Sequence, residues 1–308
     1  LHIYTHVDPK MQNAAEEVYL QAENFPEGDP SVLQSGMAIV DSDTGGILAL
    51  SGQRGKKEHY RGFNYATQTR RQPGSSIKPI VAYAPALMEG YRKNDMINDV
   101  RTEFGDYSPN NYGGRFHGWV TMEKALAESY NVPAVAMLKE VGIDDGMKLA
   151  REAGLPVKDE DRNLGLALGG METGVSPLQM AQAYTMFANE GVWSEAHAII
   201  EIKNSANVSI YKADVHQKEL ISPEAAYEMT LMLQKAVNEG TGTNARMNRP
   251  VAGKTGTTQL PDIPKYQDAN GNVIDGTRDA WFVGYTPDVV GAVWLGYTSN
   301  ETDQYLST

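Results

Sequence analysis

VAGKTGTT, residues 251–258, admits two readings that lead to different folds. As the end of a phosphate-binding loop, Gly253-Lys254-Thr255 would follow a buried apolar strand and close on a triphosphate. That motif requires G-x-x-x-x-G-K-[ST], so that successive backbone N–H groups curl around the phosphates. Asn248 stands where the first Gly belongs, and the preceding EGTGTNARMNRP is polar and carries Pro250, so no buried strand launches such a loop. The nucleotide reading is excluded. As a strand, the stretch leads instead towards AWFVGY and VVGAVWLGY, aromatic and β-branched runs joined by Thr286-Pro287-Asp288, which read as a hairpin.

A second hairpin lies near the other end, where the apolar runs 37–40 and 47–50 of GMAIVDSDTGGILALSG flank a turn rich in Asp and Gly. Between the hairpins the chain reads as mainly helical. Ahead of the first hairpin, HIYTHV reads as a strand, and Asp8-Pro9 is a cap and first-turn pair for a helix running towards Asn24. The segment from Ser75 to about Met88 places Ile80, Tyr83, Ala84, Leu87 and Met88 on one face and stops at Gly90. VTMEKALAES precedes a break at Asn131–Pro133, Ser176-Pro177-x-Gln179 is a capping box, and Ser222-Pro223 opens a helix closed by Gly240. The predicted fold class is α+β: an antiparallel sheet of about five strands built from both chain ends, flanked by helices, with a helical subdomain inserted over roughly residues 92–220. The longest predicted loop is PDIPKYQDANGNVIDGTRD.

Composition narrows the function. The 308 residues are 41% hydrophobic and 21% charged, as in a globular chain, and contain no run of about 18 apolar residues that could span a bilayer. The N-terminus LHIYTHVDPK lacks a signal-peptide pattern and an initiating Met, as expected of an excised or processed chain. A net charge of −12 argues against nucleic acid as a partner. One basic segment departs from this: between Gln53 and Arg71, Arg54, Lys56, Lys57, Arg61, Arg70 and Arg71 face a single acid, Glu58. It reads as a solvated loop or as a positive rim that draws in anionic substrate. Cys is absent, which removes thiol nucleophiles, disulfides and Cys-based zinc sites; the six His are scattered without H-E-x-x-H, so neither metal nor cofactor is expected.

A nucleophile is nevertheless in view. G-x-S-x-G is missing, but Gln72-Pro73-Gly74-Ser75-Ser76-Ile77-Lys78 puts Ser75 at a helix start with Lys78 one turn on. Lysine can take a serine's proton only when neutral, so its pKa must fall from about 10.4 by about three units, roughly 4 kcal/mol of differential interaction. Burial and a second cation both act in that direction, and Lys254 is a candidate for that cation. Ser129-Tyr130-Asn131 sits in a helix connection, where functional polar groups tend to be displayed, and Gly256 lets a substrate backbone approach the strand.

S-x-x-K, S-x-N and K-T-G in this order are the three elements of penicillin-interacting serine enzymes. With HIYTHVDPKMQNAAEEV, ATQTRRQPGSSIKP, ALAESYNVPAV, LALGGMETGVSPLQMAQAYTMFANEG, VAGKTGTT and DAWFVGYTPDVVGAVWLGY, the chain resembles the transpeptidase half of class A penicillin-binding proteins over nearly its whole length. The resemblance implies an extracytoplasmic enzyme that cross-links peptidoglycan stem peptides and is acylated by β-lactam antibiotics. It also implies an N-terminal glycosyltransferase domain and membrane anchor, to which residues 1–30 would lead, with residues 31–308 as the transpeptidase domain. It assigns Ser75 as nucleophile, Lys78 as base, Ser129 as proton relay, Asn131 as a holder of the substrate amide and Lys254 as a source of positive potential. Thr255 and Thr257 would take the terminal carboxylate beside Gly256, and the N–H groups of Ser75 and Thr257 would form the oxyanion hole. Tyr130 replaces the Asp of many β-lactamases, which leaves the outer Ser and Asn in place. Glu160-Asp161-Arg162-Asn163-Leu164 reverses the last two residues of the Glu-x-x-Leu-Asn element that activates a deacylating water, so fast drug hydrolysis is not expected. The same motifs also serve D,D-carboxypeptidases, slow β-lactamases and β-lactam sensors.

Overall fold

The computed structural model describes residues 1–57, 61–260, 263–268, 270–298 and 304–307. In chain order its strands and helices are β1 (His2–Thr5), α1 (Pro9–Leu20), β2 (Leu33–Asp41), β3 (Ile47–Ser51), α2 (Ala84–Met88), β4 (Met96–Asp99), β5 (Gly118–Thr121), α3 (Met122–Ala127), α4 (Asn131–Val141) and α5 (Ile143–Glu152). They continue through α6 (Pro177–Ala188), β6 (Val192–Ser194), β7 (Ile199–Lys203), β8 (Ser209–Lys212), β9 (Gln217–Glu219), α7 (Pro223–Asn238), β10 (Ala252–Gln259), β11 (Thr277–Tyr285) and β12 (Val289–Tyr297).

The central sheet has the order β10-β11-β12-β2-β3 and every pairing is antiparallel, so both chain ends build it. Its side chains alternate. Along β12, Val290, Ala292 and Trp294 are buried while their neighbours are half-buried, and the register aligns Trp281 with Trp294 and Gly36. This inner face packs on α6 and α7: the Tyr184 ring meets Tyr285 edge-on at 6.5 Å, and Tyr285 Oη lies 2.9 Å from Thr230 Oγ1.

Helices α1, α6 and α7 start where polar side chains satisfy their first N–H groups. Asp8 accepts from the amides of Lys10 (2.8 Å) and Met11 (3.1 Å). Ser176 Oγ accepts from the Gln179 amide and Gln179 Oε1 from the Ser176 amide, closing the capping box. Ser222 caps α7, which buries Ala225, Met229, Met232, Leu233 and Ala236 at helical spacing.

The structure departs from the sequence reading in three places. The region read as mainly helical also holds strands: β4 pairs with β5, β6 with β9, and β7 and β8 join the opening strand β1 in a separate sheet. β1, β8 and β9 are exposed throughout, so they lack the alternation that marks a half-buried strand. The segment from Ser75 to Met88 is not one amphipathic helix. It is a 3₁₀ turn over Gly74–Ile77, a π-type turn over Pro79–Tyr83 and then α2. Pro85 has no N–H to give to Val81, and its ring excludes that carbonyl, so the preceding turn widens. Every residue from Ser76 to Leu87 is buried, whereas Met88 is 49% exposed, so this element is central rather than one-faced.

The third departure is the basic segment. Arg54 is buried with its guanidinium 5.0 Å over the Phe25 ring. Arg71 turns inward, donating from Nη2 to the carbonyls of Tyr297 (2.6 Å) and Thr298 (3.0 Å) and passing 5.6 Å over Trp294. Lys56, Lys57, Arg61 and Arg70 remain at the surface, and Glu58 lies outside the described residues.

Arg71 belongs to the joint that seats the turn carrying Ser75 on the sheet. Its Nε is 3.8 Å from Asp279 Oδ1, which accepts from the fully buried Trp294 indole N–H at 2.9 Å. Burial raises the Asp279 pKa, against the pull of Trp294 and Arg71. Trp294→Phe removes the indole donor while keeping most of the apolar volume. It is expected to destabilise the fold by about 2–4 kcal/mol in urea unfolding. An unchanged midpoint would mean that Arg71 alone satisfies the carboxylate.

Candidate active site

Ser75 is the second residue of the Gly74–Ile77 turn and is half-buried. The turn lies directly against β10. A Cβ at Gly74 (φ 55°) would stand 2.3 Å from Thr257 O, and one at Gly256 would stand 2.3 Å from Pro73 O. Neither position has room for any side chain, so the two backbones touch. Four hydrogen bonds fix the approach. Trp281 Nε1 and Thr258 Oγ1 donate to Gln72 O at 3.0 and 3.2 Å, Ser76 Oγ donates to Pro73 O at 2.8 Å, and Tyr184 Oη donates to Ser76 O at 2.6 Å.

Lys78 immediately follows this turn and is fully buried. Its Nζ reaches across to the segment between α3 and α4, donating to Ser129 O at 2.7 Å, Asn131 Oδ1 at 2.7 Å and Tyr130 O at 3.1 Å, with Ser129 Oγ at 3.4 Å. Ser129 adopts φ 60°, a left-handed conformation that costs a non-glycine residue about 1–2 kcal/mol. Burial, and then the charge of Lys254, hold the Lys78 pKa well below the usual amine range.

Lys254 comes from β10, in register with Val283, on the face of the edge strand turned towards the helices. It is fully buried, its Nζ donates to Thr255 O at 3.2 Å, and burial lowers its pKa to about 7. Thr255 Oγ1 lies 2.6 Å from Thr241 Oγ1, while Thr257 is exposed.

The sequence-predicted residues thus occupy one seam. Ser75 and Lys78 lie on one wall, Ser129 and Asn131 on a second, and Lys254, Thr255, Gly256 and Thr257 on a third. Asn131 is oriented at both ends of its amide, since Nδ2 donates to Asn110 O at 2.7 Å while Oδ1 meets Lys78. The stretch around Glu160 serves the fold, because Asp161 is 2% exposed and accepts from the amides of Lys158 and Glu172. Tyr184, Trp281 and Thr241 support the seam and were not singled out in the sequence. Tyr184 and Trp281 lie within runs that read simply as core, and only the non-local contact distinguishes them. A cavity of about 480 Å³ lined by Phe187, Tyr227, Thr230, Pro250 and Tyr285 contains none of the motif residues. Among the described residues no group of three or more His, Cys, Asp or Glu is placed to hold a metal ion, and no helix is long and apolar enough to cross a membrane.

Comparison with known proteins places this geometry. Residues 36–307 match the family model described as the penicillin binding protein transpeptidase domain. Penicillin-binding protein 2a of Streptococcus pneumoniae is 39% identical over 311 residues, which cover 99% of this chain and 41% of that protein. Penicillin-binding protein 1F of Bacillus subtilis is 36% identical over 301 residues, covering 97% of this chain and 40% of that protein. The chain therefore spans about two fifths of the length of these relatives. Among solved structures, the penicillin-binding protein PonA1 from Mycobacterium tuberculosis superposes with a TM-score of 0.83 at 25% identity, over 100% of this chain and 78% of that one. A second structure of PonA1, in complex with penicillin V, gives a TM-score of 0.81 over 96% of this chain and 77% of that one.

The burial of Lys254 carries a stability penalty that depends on pH. With its pKa lowered to about 7, the folded state binds fewer protons than the unfolded state between about pH 7 and the ordinary lysine range. Stability therefore rises with pH across that window, and the penalty is complete below it. Lys254→Met should stabilise the fold by about 1–3 kcal/mol at neutral pH, seen as a higher melting temperature. The gain should shrink as the pH is raised towards 10. A variant that melts below wild type at pH 7 would show that the lysine's hydrogen bonding outweighs its desolvation.

Proposed function

Since the chain belongs to the penicillin-binding protein transpeptidase family, we propose that it is the D,D-transpeptidase domain of a peptidoglycan synthase and acts on stem peptides ending in D-Ala-D-Ala. The observation that carries the reading is the placement of Lys78. Its amine is fully buried, depressed in pKa by burial and by Lys254, and lies 2.7 Å from both Ser129 O and Asn131 Oδ1. A neutral amine in that position gives its two N–H groups to those oxygens, gives up the longer bond to Tyr130 O and keeps its lone pair for a proton.

The reaction follows in balanced steps. Ser75 Oγ attacks the carbonyl carbon of the penultimate D-Ala, its proton passing to Lys78 Nζ. The Ser75 and Thr257 amides receive the oxyanion, where losing one donor typically costs about 3 kcal/mol. Collapse breaks the C–N bond, and Ser129 Oγ passes a proton to the departing D-Ala amine, recovering one from Lys78, whose Nζ is 3.4 Å away. A proton transfer of this kind is worth about 10²- to 10⁴-fold in rate. An amine of a neighbouring stem peptide then attacks the Ser75 ester, forms the cross-link and frees the serine. The β-lactam ring carbonyl enters by the first step. Asn131 holds the substrate amide, Lys254 supplies positive potential, and Thr255 and Thr257 take the terminal carboxylate.

The greater length of the relatives supports a glycosyltransferase domain N-terminal to this one in the full protein, with residues 1–30 leading out of it and 31–308 forming the transpeptidase domain. An anchor in that portion would hold the enzyme on the extracytoplasmic face of the plasma membrane.

Incubation with penicillin followed by intact-mass measurement should give one stable adduct on the wild type and none on Ser75→Ala. Turnover of a small thioester substrate should then transfer the acyl group to an added D-amino acid. Hydrolysis alone at every acceptor concentration would make the domain a carboxypeptidase, and an adduct persisting in Ser75→Ala would remove the assigned nucleophile.

A further inference from the structure

We propose that Asp99, Asn111 and His117 form one positioning assembly for the reaction, holding the Ser129–Asn131 segment in the backbone geometry that Lys78 and the substrate require. The inference rests on the function proposed above and gives a role to residues that none of the three motifs contains.

The end of α3 holds part of the segment, the Ser129 amide donating to Leu126 O at 3.1 Å and the Tyr130 amide to Ala125 O at 2.9 Å, whereas the Tyr130 ring and Asn131 need an external hold. Ser129 is left-handed, and the bonds it receives on its inner side come from Lys78, whose protonation changes during the reaction. A donor that loses a proton in one step and regains it in another cannot by itself keep a strained backbone fixed.

The outer side supplies that hold through a single carboxylate. Asp99 ends β4 and is fully buried. Its Oδ2 accepts from the His117 amide at 3.0 Å and lies 2.7 Å from His117 Nδ1, and both of its oxygens lie 2.8 Å from Asn111 Nδ2. From this hub two arms reach the segment. In the first, the His117 ring lies flat on the Tyr130 ring, with centroids 4.1 Å apart and planes 7° from parallel. In the second, Asn111 Oδ1 accepts from the amides of Asn131 at 2.7 Å and Val132 at 3.3 Å, fixing the first turn of α4. The neighbouring Asn110 carbonyl turns the Asn131 amide so that Oδ1 faces Lys78.

The donors around Asp99 require an acceptor at every contact, so the carboxylate is the fitting group and His117 carries its proton on Nδ1. Tyr130, the middle residue of the S-x-N motif, thereby gains a role, because its ring is the surface on which the first arm bears. None of the three assembly residues is placed against the reacting atoms, so they act as positioning residues rather than catalytic ones.

Stopped-flow acylation of the 308-residue chain by a fluorescent penicillin separates non-covalent affinity from the acylation rate constant. His117→Phe keeps a ring for Tyr130 but loses the bond to Asp99, and Asp99→Asn keeps the shape but turns an acceptor into a donor. Each is expected to lower the acylation rate constant about 10- to 100-fold, with affinity within about 2-fold of wild type. The double variant is expected to be no slower than Asp99→Asn alone, because the residues act as a unit. His117→Phe replaces a half-exposed ring by another ring, so it tests the proposal even where Asp99→Asn melts early. Acylation at the wild-type rate in folded His117→Phe overturns the proposal, as does a loss confined to affinity or strictly additive effects. A wild-type chain that forms no adduct overturns the functional reading itself, and this inference with it.

Discussion

The amines of Lys78 and Lys254 are both fully buried, and the charge of one bears on the other. Taking an ammonium out of water costs several kcal/mol even after relaxation, and two in one place cost more than twice one. The surroundings answer the two differently. Lys78 is wrapped by oxygens of the Ser129–Asn131 segment, which compensate its desolvation when it is charged and still accept its N–H groups when it is not. Lys254 has the Thr255 carbonyl. The asymmetry leaves one amine in a well-defined polar cage, with the charge of the other bearing on it. Burial does most to depress the Lys78 pKa, and the second lysine adds to it.

That pair also explains why the seam is tight elsewhere. Two walls come from the central sheet and its helices, the third from the connection between α3 and α4. Water between them would solvate the amines and restore their ordinary pKa values. The Gly74 and Gly256 contacts exclude it on one side by bringing backbone against backbone, and Gly169 continues the packing, since a Cβ there would meet the Gly74 amide nitrogen at 2.4 Å. Left-handed backbone at Gly74 and Ser129 is what this closeness demands.

Much of this was legible in local sequence. Both hairpins, the caps at Asp8, Ser176 and Ser222 and the strand reading of VAGKTGTT depend on neighbours within a few residues, and each appears in the structure. What failed depends on partners outside the segment itself. Exposed β8 is a strand only because β7 pairs with it. Arg54 and Arg71 looked like surface charge until Phe25, Trp294 and Asp279 were brought to them. The site shows the same division. The motif residues carry their spacing in the sequence, whereas Asp99, Asn111 and His117 are scattered polar residues that acquire meaning only around one buried carboxylate.

Register is the quantity that ties sheet to site. On β10, Lys254 pairs with Val283 and Gly256 with Trp281, which places both on the inner face. A slip of one residue would exchange them for Thr255 and Thr257, exposing the amine and driving a threonine side chain into Pro73 O. β10 is an edge strand and can be held from one side only. Its register is therefore fixed by β11, and that of β11 by β12, through the aligned Trp281 and Trp294. The indole of Trp281 also donates to Gln72 O, and that of Trp294 to Asp279 beside Arg71, so the same two residues that set the register hold the turn carrying Ser75. Ser75 and the edge strand are thereby referred to a common frame, and a displacement of the strand moves both together rather than opening a gap between them.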